Sequence, residues 1–384
     1  MGKQVFGVKT RHCWNGSISL LVLPARVDPM QTADLTELFR EIVDIESVSG
    51  NEARLADEVE AVLRGTVHLE VYRFGNVVIA RTNLGRAERV IFAGHLDTVP
   101  LANNLPSEFV TDERGLVLRG RGTCDMKGGV AVMLHLAVEL LEPNRDVTWV
   151  FYDNEEISQE FNGLRIASRE HPEFFVGDLA ILMEPTAASI EGGCQGTMRF
   201  QITTRGRTAH SARSWLGKNA IHDSADVLEL VRNFDARQIE VDGLLYHEGL
   251  NVTSIHGGIA GNVIPDVCEI QINYRFAPDK TGEQAAELMR ESFEPYELEV
   301  LDLSDAARPG LNLPAAVEFI RAVGKPAKPK FGWTDVATFS ALGIPALNYG
   351  PADPSEAHTD LESCPIADLE SCAIAIRSWL GGAA

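Results

Sequence analysis

Seven polar residues of this chain are of the kinds that hold metals and move protons, and most of them follow runs of apolar residues that read as core strands. His95 and Asp97 close the stretch "VIFAGHLDTVP", Glu155 and Glu156 follow "VTWVFYDN", Glu184 follows "LAILM", and His358 comes shortly after "IPALNYG". Asp125 lies in a glycine-rich turn, "GRGTCDMKGG", just ahead of an apolar helix. Alternate residues of a strand share a face, so His95 and Asp97 point the same way. Any one of these acids could be a helix cap or a turn residue. In open α/β sheets, however, ligands bind beyond the carboxyl ends of the strands. The convergence of all of them on one sheet edge points to a metal centre.

The donor set narrows the chemistry. His95, Asp125, Glu156, Glu184 and His358 offer two imidazoles and three carboxylates with no thiolate, which favours zinc, or cobalt or manganese, over iron–sulfur or copper. If Asp125 bridges, each of two ions receives one histidine, one glutamate and a share of the aspartate. Three carboxylates and a hydroxide then balance two divalent charges, whereas a single ion would leave a net negative site, which is costly away from water. Asp97 is expected to accept from the other ring nitrogen of His95 and fix its tautomer. Glu155 is left beside Glu156 without a ligand's role. It can stand by the attacking water and shuttle its proton as general acid/base; the alternative is that it caps the next segment.

Such residues need elements to hold them. "ADLTELFREIVDI" and "NEARLADEVEAVLRG" carry helical periodicity, the second with Asn51 as its cap. "NVVIART", "RVIFAGH", "VTWVFYD" and "LAILM" read as strands, and "VAVMLHLAVELL" as an apolar helix. Helices alternating with near-continuous apolar strands predict an α/β domain whose sheet is mixed, largely parallel, and flanked by helices. Near Gly192 the pattern changes. "TMRFQITTRG" alternates like a half-exposed strand, and the order β-α-β-β-α-β that follows predicts an inserted ferredoxin-like α+β domain. The catalytic domain is therefore expected over residues 30–192 and 306–384, with the insertion at 193–305 and a closing helix from Ile366 to Leu380. No internal repeat or coiled-coil heptad is present.

Composition bounds the partners. The 384 residues suit two domains, and 34 basic against 55 acidic residues give a formal charge of −21, which argues against nucleic acid or an anionic membrane. Cysteines at 13, 124, 194, 268, 364 and 372 show no paired spacing. They indicate neither a disulfide framework nor a thiolate metal site and suit a reducing compartment, the cytoplasm. No apolar run approaches the ~18 residues of a membrane span. Residues 1–29 are expected to be a disordered or spurious extension ahead of a start at Met30. The alternative, a signal peptide around "ISLLVLPA", has a short and interrupted apolar run.

The motifs "GHLDTVP", "GRGTCDMKGG", "DNEE", "MEPT" and "AHTD", in this order from about Met30 on, resemble the two-zinc metallohydrolases that include aminoacylases, acetylornithine deacetylase and glutamate carboxypeptidases. The resemblance implies a bridging Asp125, one ion with His95 and Glu184, the other with Glu156 and His358, and Glu155 as general acid/base. It also implies a cis peptide between Asp125 and Met126. It is strongest to the branch that removes succinyl groups from diaminopimelate and extends into the insertion: "CQGTMRF", "RTAHSARSWLGKNAIH", "GNVIPD" and "INYRFAP". For the insertion it implies a homodimer in which His210 of "TAHS" reaches the neighbouring subunit's site, and substrate contacts at Asn262 and Arg275. A guanidinium at Arg275 suits the free carboxylate of a succinyl group, although a surface arginine reads the same way. Sister deacylases acting on acetylornithine or acyl amino acids share every ligand and remain an alternative. A metal-binding regulator without catalysis would need neither Glu155 nor His210.

Overall fold

The computed structural model describes Met30 and residues 32–381. The expected extension at 1–29 and Cys13 lie outside the described residues. The large sheet has eight strands, in the order Glu70–Phe74, Val77–Arg81, Asp146–Tyr152, Arg89–His95, Leu179–Leu182, Ala346–Asn348, Glu191–Gly192 and Lys328–Pro329. Its four central strands, Asp146–Tyr152 through Ala346–Asn348, run parallel, and antiparallel pairs flank them. A parallel sheet must be covered on both faces, and successive residues of each strand divide between them. Phe92, Trp149, Phe151 and Ile181 pack with the helices Leu35–Asp44, Ala53–Arg64, Lys127–Glu139 and Ile366–Trp379. Ile91, Ala93, Val150, Tyr152 and Leu182 pack on the other side with Leu164, Phe174 and Phe339. Helix Leu35–Asp44 starts where Asp34 accepts from the backbone N–H groups of Thr36 (2.9 Å) and Glu37 (3.2 Å). Helix Ala53–Arg64 is preceded by Glu52 rather than capped by Asn51, and that N-cap makes no side-chain capping bond.

The smaller sheet is antiparallel, in the order Gly249–Gly257, Val267–Phe276, Gly196–Arg205, Leu298–Ser304. With the helices Ala220–Arg232 and Gly282–Ser292 between its strands in sequence, this is the ferredoxin-like arrangement. Met198, Phe200 and Ile202 face those helices and are fully buried, leaving Thr197, Arg199 and Gln201 on the open face. Two features escaped the sequence reading. A hairpin of Gln238–Val241 and Leu244–His247 returns to the large sheet, where the Tyr246 hydroxyl donates to Gly192 O at 2.7 Å. A three-stranded sheet joins Glu108–Asp112 and Gly115–Arg119 to Ser363–Pro365. The five described cysteines are free and buried. Among the described residues no helix is long and apolar enough to cross a membrane.

Candidate metal and hydrolytic centre

Strand register brings the distant residues to one level. His95 pairs with Tyr152, Ala93 with Leu182, and Asn348 with Leu182. The strands therefore end together, and Glu155, Glu156, Glu184 and His358 emerge from the loops just beyond. Asp125 is carried to the same place by the turn before helix Lys127–Glu139. That helix lies so close to the end of strand Leu179–Leu182 that a Cβ on Gly129 would sit 2.2 Å from Met183 O, so only glycine permits the approach. The peptide between Asp125 and Met126 is cis. His358 (φ 64°) and Asn154 (φ 58°) occupy left-handed backbone, a strain that concentrates at functional sites.

Asp125 stands between the two histidines. Its Oδ1 lies 3.1 Å from His95 Nε2 and its Oδ2 3.3 Å from His358 Nε2, while His358 Nε2 is 2.9 Å from Glu156 Oε1. Two sets of ligand atoms, His95/Asp125/Glu184 and Asp125/Glu156/His358, each fall within 4.8 Å of one another. A third set joins His95, Glu155 and Glu156 on the same criterion. Oε1 of Glu184 is buried with no hydrogen-bond partner, an arrangement that costs free energy unless something accepts its lone pairs. With only N and O donors around it, a divalent cation fits.

Electrostatics carry the same signature. Burial opposes ionisation of Asp125, but hydrogen bonds to His358 and His95 outweigh it and hold the carboxyl below its usual range. Those carboxylates push His358 up to about 10, through Asp125 first and Glu156 second. Burial pushes Glu184 up to about 8, with the Asp125 charge adding to it. Glu155 is raised well above the ordinary carboxyl range, chiefly by burial, with Glu184 and Glu156 adding and His95 opposing. Crowded carboxylates and imidazoles here compensate one another as they would compensate a cation.

Asp97 does more than was expected of it. His95 Nδ1 lies 3.0 Å from the Asp97 backbone carbonyl and 3.5 Å from its carboxylate, so both oxygens face that ring nitrogen. The carboxylate also accepts from Glu155 N (3.0 Å), Glu156 N (3.1 Å) and the Ser49 hydroxyl (2.8 Å). It braces the loop that presents both glutamates. Three supporting residues went unread in the sequence. Glu362 Oε1 accepts from the N–H groups of Cys124 and Asp125, both at 3.0 Å, and its Oε2 pairs with Arg121 at 2.9 Å. Arg121 also donates to Thr359 O at 3.2 Å, tying the Asp125 turn to the His358 loop. Lys127, fully buried and lowered to about 7 by that burial, donates to Ile45 O at 2.6 Å. Only the spacing of Glu362 after His358 could have drawn attention to it.

The ligand cluster forms the floor of a cleft of about 590 Å³. Its far wall is the open face of the small sheet, where Arg275 stands with Arg199 and Asp302. Arg275 thus faces the cluster. His210 and Asn262 do not line this cleft. His210 is exposed, its Nδ1 accepting from Ala212 N at 3.1 Å, and Ser211 N donates to Asn262 O at 2.9 Å.

Comparison with known proteins agrees with this geometry. The family model for Peptidase family M20/M25/M40 matches residues 91–380. A Mycobacterium tuberculosis protein named as a candidate succinyl-diaminopimelate desuccinylase, DapE, is 48% identical over 364 residues, covering 94% of this chain and 100% of its own length. The succinyl-diaminopimelate desuccinylase of Corynebacterium glutamicum is 45% identical, covering 89% of this chain and 95% of its own. Among solved structures, aminopeptidase PepT from Bacillus cereus superposes with a TM-score of 0.73 at 17% identity, over 91% of this chain and 98% of its own, a likeness of fold. Matched along most of its length by the family model and by these relatives, the chain belongs to the M20/M25/M40 peptidase family, a metal-dependent hydrolase acting on amide bonds.

Proposed function

We infer that this chain hydrolyses N-succinyl-LL-2,6-diaminopimelate to succinate and LL-diaminopimelate, a precursor of lysine and of the cell wall. The observation that carries the reading is the pair of ligand sets sharing Asp125, with Glu155 beside them and a guanidinium wall opposite; the names of the two bacterial relatives supply the substrate. His95, Asp125 and Glu184 would hold one divalent ion, zinc first, and Asp125, Glu156 and His358 a second, with cobalt or manganese as substitutes. When bound, such ions polarise a carbonyl and lower the pKa of water.

The chain's own residues do the rest. Glu155 takes the proton of the attacking water and delivers it to the leaving amine. Asp97 keeps Glu155 in place through its backbone N–H. Arg275 receives the free succinyl carboxylate. His210 stands outside its own cleft, on an insertion that also exposes Trp215 (74%) and Ile259 (79%). In a homodimer formed through the small sheet, it would serve the neighbouring site as a donor to the oxyanion, with Asn262 beside it contacting substrate. On this reading residues 30–192 and 306–384 form the catalytic unit and 193–305 the pairing unit, and five buried thiols suit the cytoplasm.

The test is a panel of N-succinyl-LL-diaminopimelate, N-acetylornithine and simple N-acyl amino acids assayed with zinc, before and after chelation. The succinyl compound should lead by at least about tenfold in kcat/KM. Activity should vanish with the chelator and return with zinc or cobalt, and fully active protein should contain two ions per chain. Preference for acetylornithine would reassign the chain to a sister deacylase.

A further inference from the structure

Strand Leu298–Ser304 does not keep the two-residue alternation that "LEVLDLS" would give. Its pairing with Gly196–Arg205 runs Leu298↔Ile202, Glu299↔Gln201, Val300↔Phe200, then passes over Leu301 and resumes as Asp302↔Arg199, Leu303↔Met198 and Ser304↔Thr197. A bulge of this kind re-aims every side chain after it. In an unbroken ladder Leu301 and Leu303 would stand beside Arg199 and Thr197 on the open face, and Asp302 would turn towards the buried side with Met198. With the bulge, Asp302 and Ser304 line the cleft instead.

Arg199 and Asp302 therefore stand side by side on the cleft wall, opposite charges at directly paired positions. Among the described residues neither side chain forms a hydrogen bond or a close ion pair, and across the wall the Asp302 charge also acts on the Arg275 guanidinium. A guanidinium and a carboxylate held next to each other but unjoined match a ligand that carries a carboxylate and an ammonium on one carbon. The carboxylate can take the guanidinium bidentately, and the ammonium can donate to the aspartate. We propose that Arg199 and Asp302 hold the free α-amino-acid end of the substrate, remote from the scissile amide. The proposal rests on the desuccinylase reading. N-succinyl-LL-diaminopimelate has such an end, whereas N-acetylornithine and N-acylated monoamino acids do not. The bulge at Leu301 is then a device for substrate choice.

The test uses three substrates on the zinc-loaded, full-length enzyme: N-succinyl-LL-diaminopimelate, N2-succinyl-L-lysine, which lacks the remote carboxylate, and N-succinyl-L-2-aminopimelate, which lacks the remote amine. Arg199→Gln should raise KM and lower kcat/KM on the first by about tenfold or more. Its penalty should shrink to under about twofold on the lysine compound, where the guanidinium has no partner to lose. Asp302→Asn should show the same relief on the aminopimelate compound, and Arg199→Lys should recover part of the loss. Melting temperature and metal content equal to wild type would show that the fold and the centre are intact. Equal penalties on all three substrates, or none on the first, would overturn the proposal. A wild-type enzyme inactive on the first compound would overturn the desuccinylase reading and this inference with it.

Discussion

The floor and the wall of the cleft are built on different terms. The floor collects His95 and Asp97, 1% and 0% exposed, from the ends of parallel strands whose backbones are buried, and His95, Asp125, Glu156 and His358 hold one another there. The wall is the open face of an antiparallel sheet, and among the described residues the side chains of its charged groups, Arg199, Arg275 and Asp302, form no hydrogen bond or close ion pair, although the Asp302 charge acts on Arg275. The floor is thus organised before substrate arrives, as chemistry on a reacting centre requires. The wall acquires its partners only from what enters the cleft. On the proposed function, hydrolysis belongs to the first region and choice of substrate to the second.

The sharpest way to break this division is at Glu155. Glu155→Gln keeps the shape of the floor and removes a proton carrier, so kcat should fall at least ~10²-fold while KM and metal content stay near wild type. Near-normal turnover would remove Glu155 from proton transfer. A smaller effect is expected one layer below. Glu362→Gln loosens the pairing with Arg121 that joins the Asp125 turn to the His358 loop, and metal affinity should drop about tenfold or more. Titration with zinc, read calorimetrically, measures this directly; unchanged affinity would mean that the floor does not depend on its brace.

The smallest signal tests whether the wall is completed by a second copy. His210→Ala and Glu155→Ala chains, each inactive alone, are coexpressed and the mixed dimers verified. If each site borrows His210 from the partner, one site of every mixed dimer lacks neither residue. With random pairing, about a quarter of wild-type activity should return. If His210 serves its own chain, mixing restores nothing.

The sequence was legible where the physics is local. Four candidate ligands and Glu155 could be read because buried parallel strands are continuous apolar runs, and a polar residue just beyond such a run is conspicuous; the fifth, Asp125, stood out in its glycine-rich turn. The inserted sheet was legible from its change to strict alternation at "TMRFQITTRG". What escaped depends on tertiary register. Nothing in "LEVLDLS" announces that Leu301 will be passed over. Glu362 looks like any acid in a polar loop until the fold places it under the N–H groups of Cys124 and Asp125. Asp97 was read as a partner of the His95 ring; what escaped is that its backbone carbonyl shares that place and that its carboxylate also holds the loop of Glu155 and Glu156. His210 is exposed within its own chain and does not line the cleft; only the function proposed above assigns it to a neighbouring subunit's site.

The tie between the Asp125 turn and the His358 loop also sets a timetable. A nascent chain emerges N-terminus first at roughly 5–20 residues per second. His95, Asp125, Glu156 and Glu184 leave the ribosome before the first strand of the small sheet begins at Gly196, and His358 and Glu362 follow its last strand at Ser304. A chain halted in between therefore carries all three residues of one ligand set, His95, Asp125 and Glu184, but only Asp125 and Glu156 of the other. Completion of the shared centre waits on the final stretch of translation.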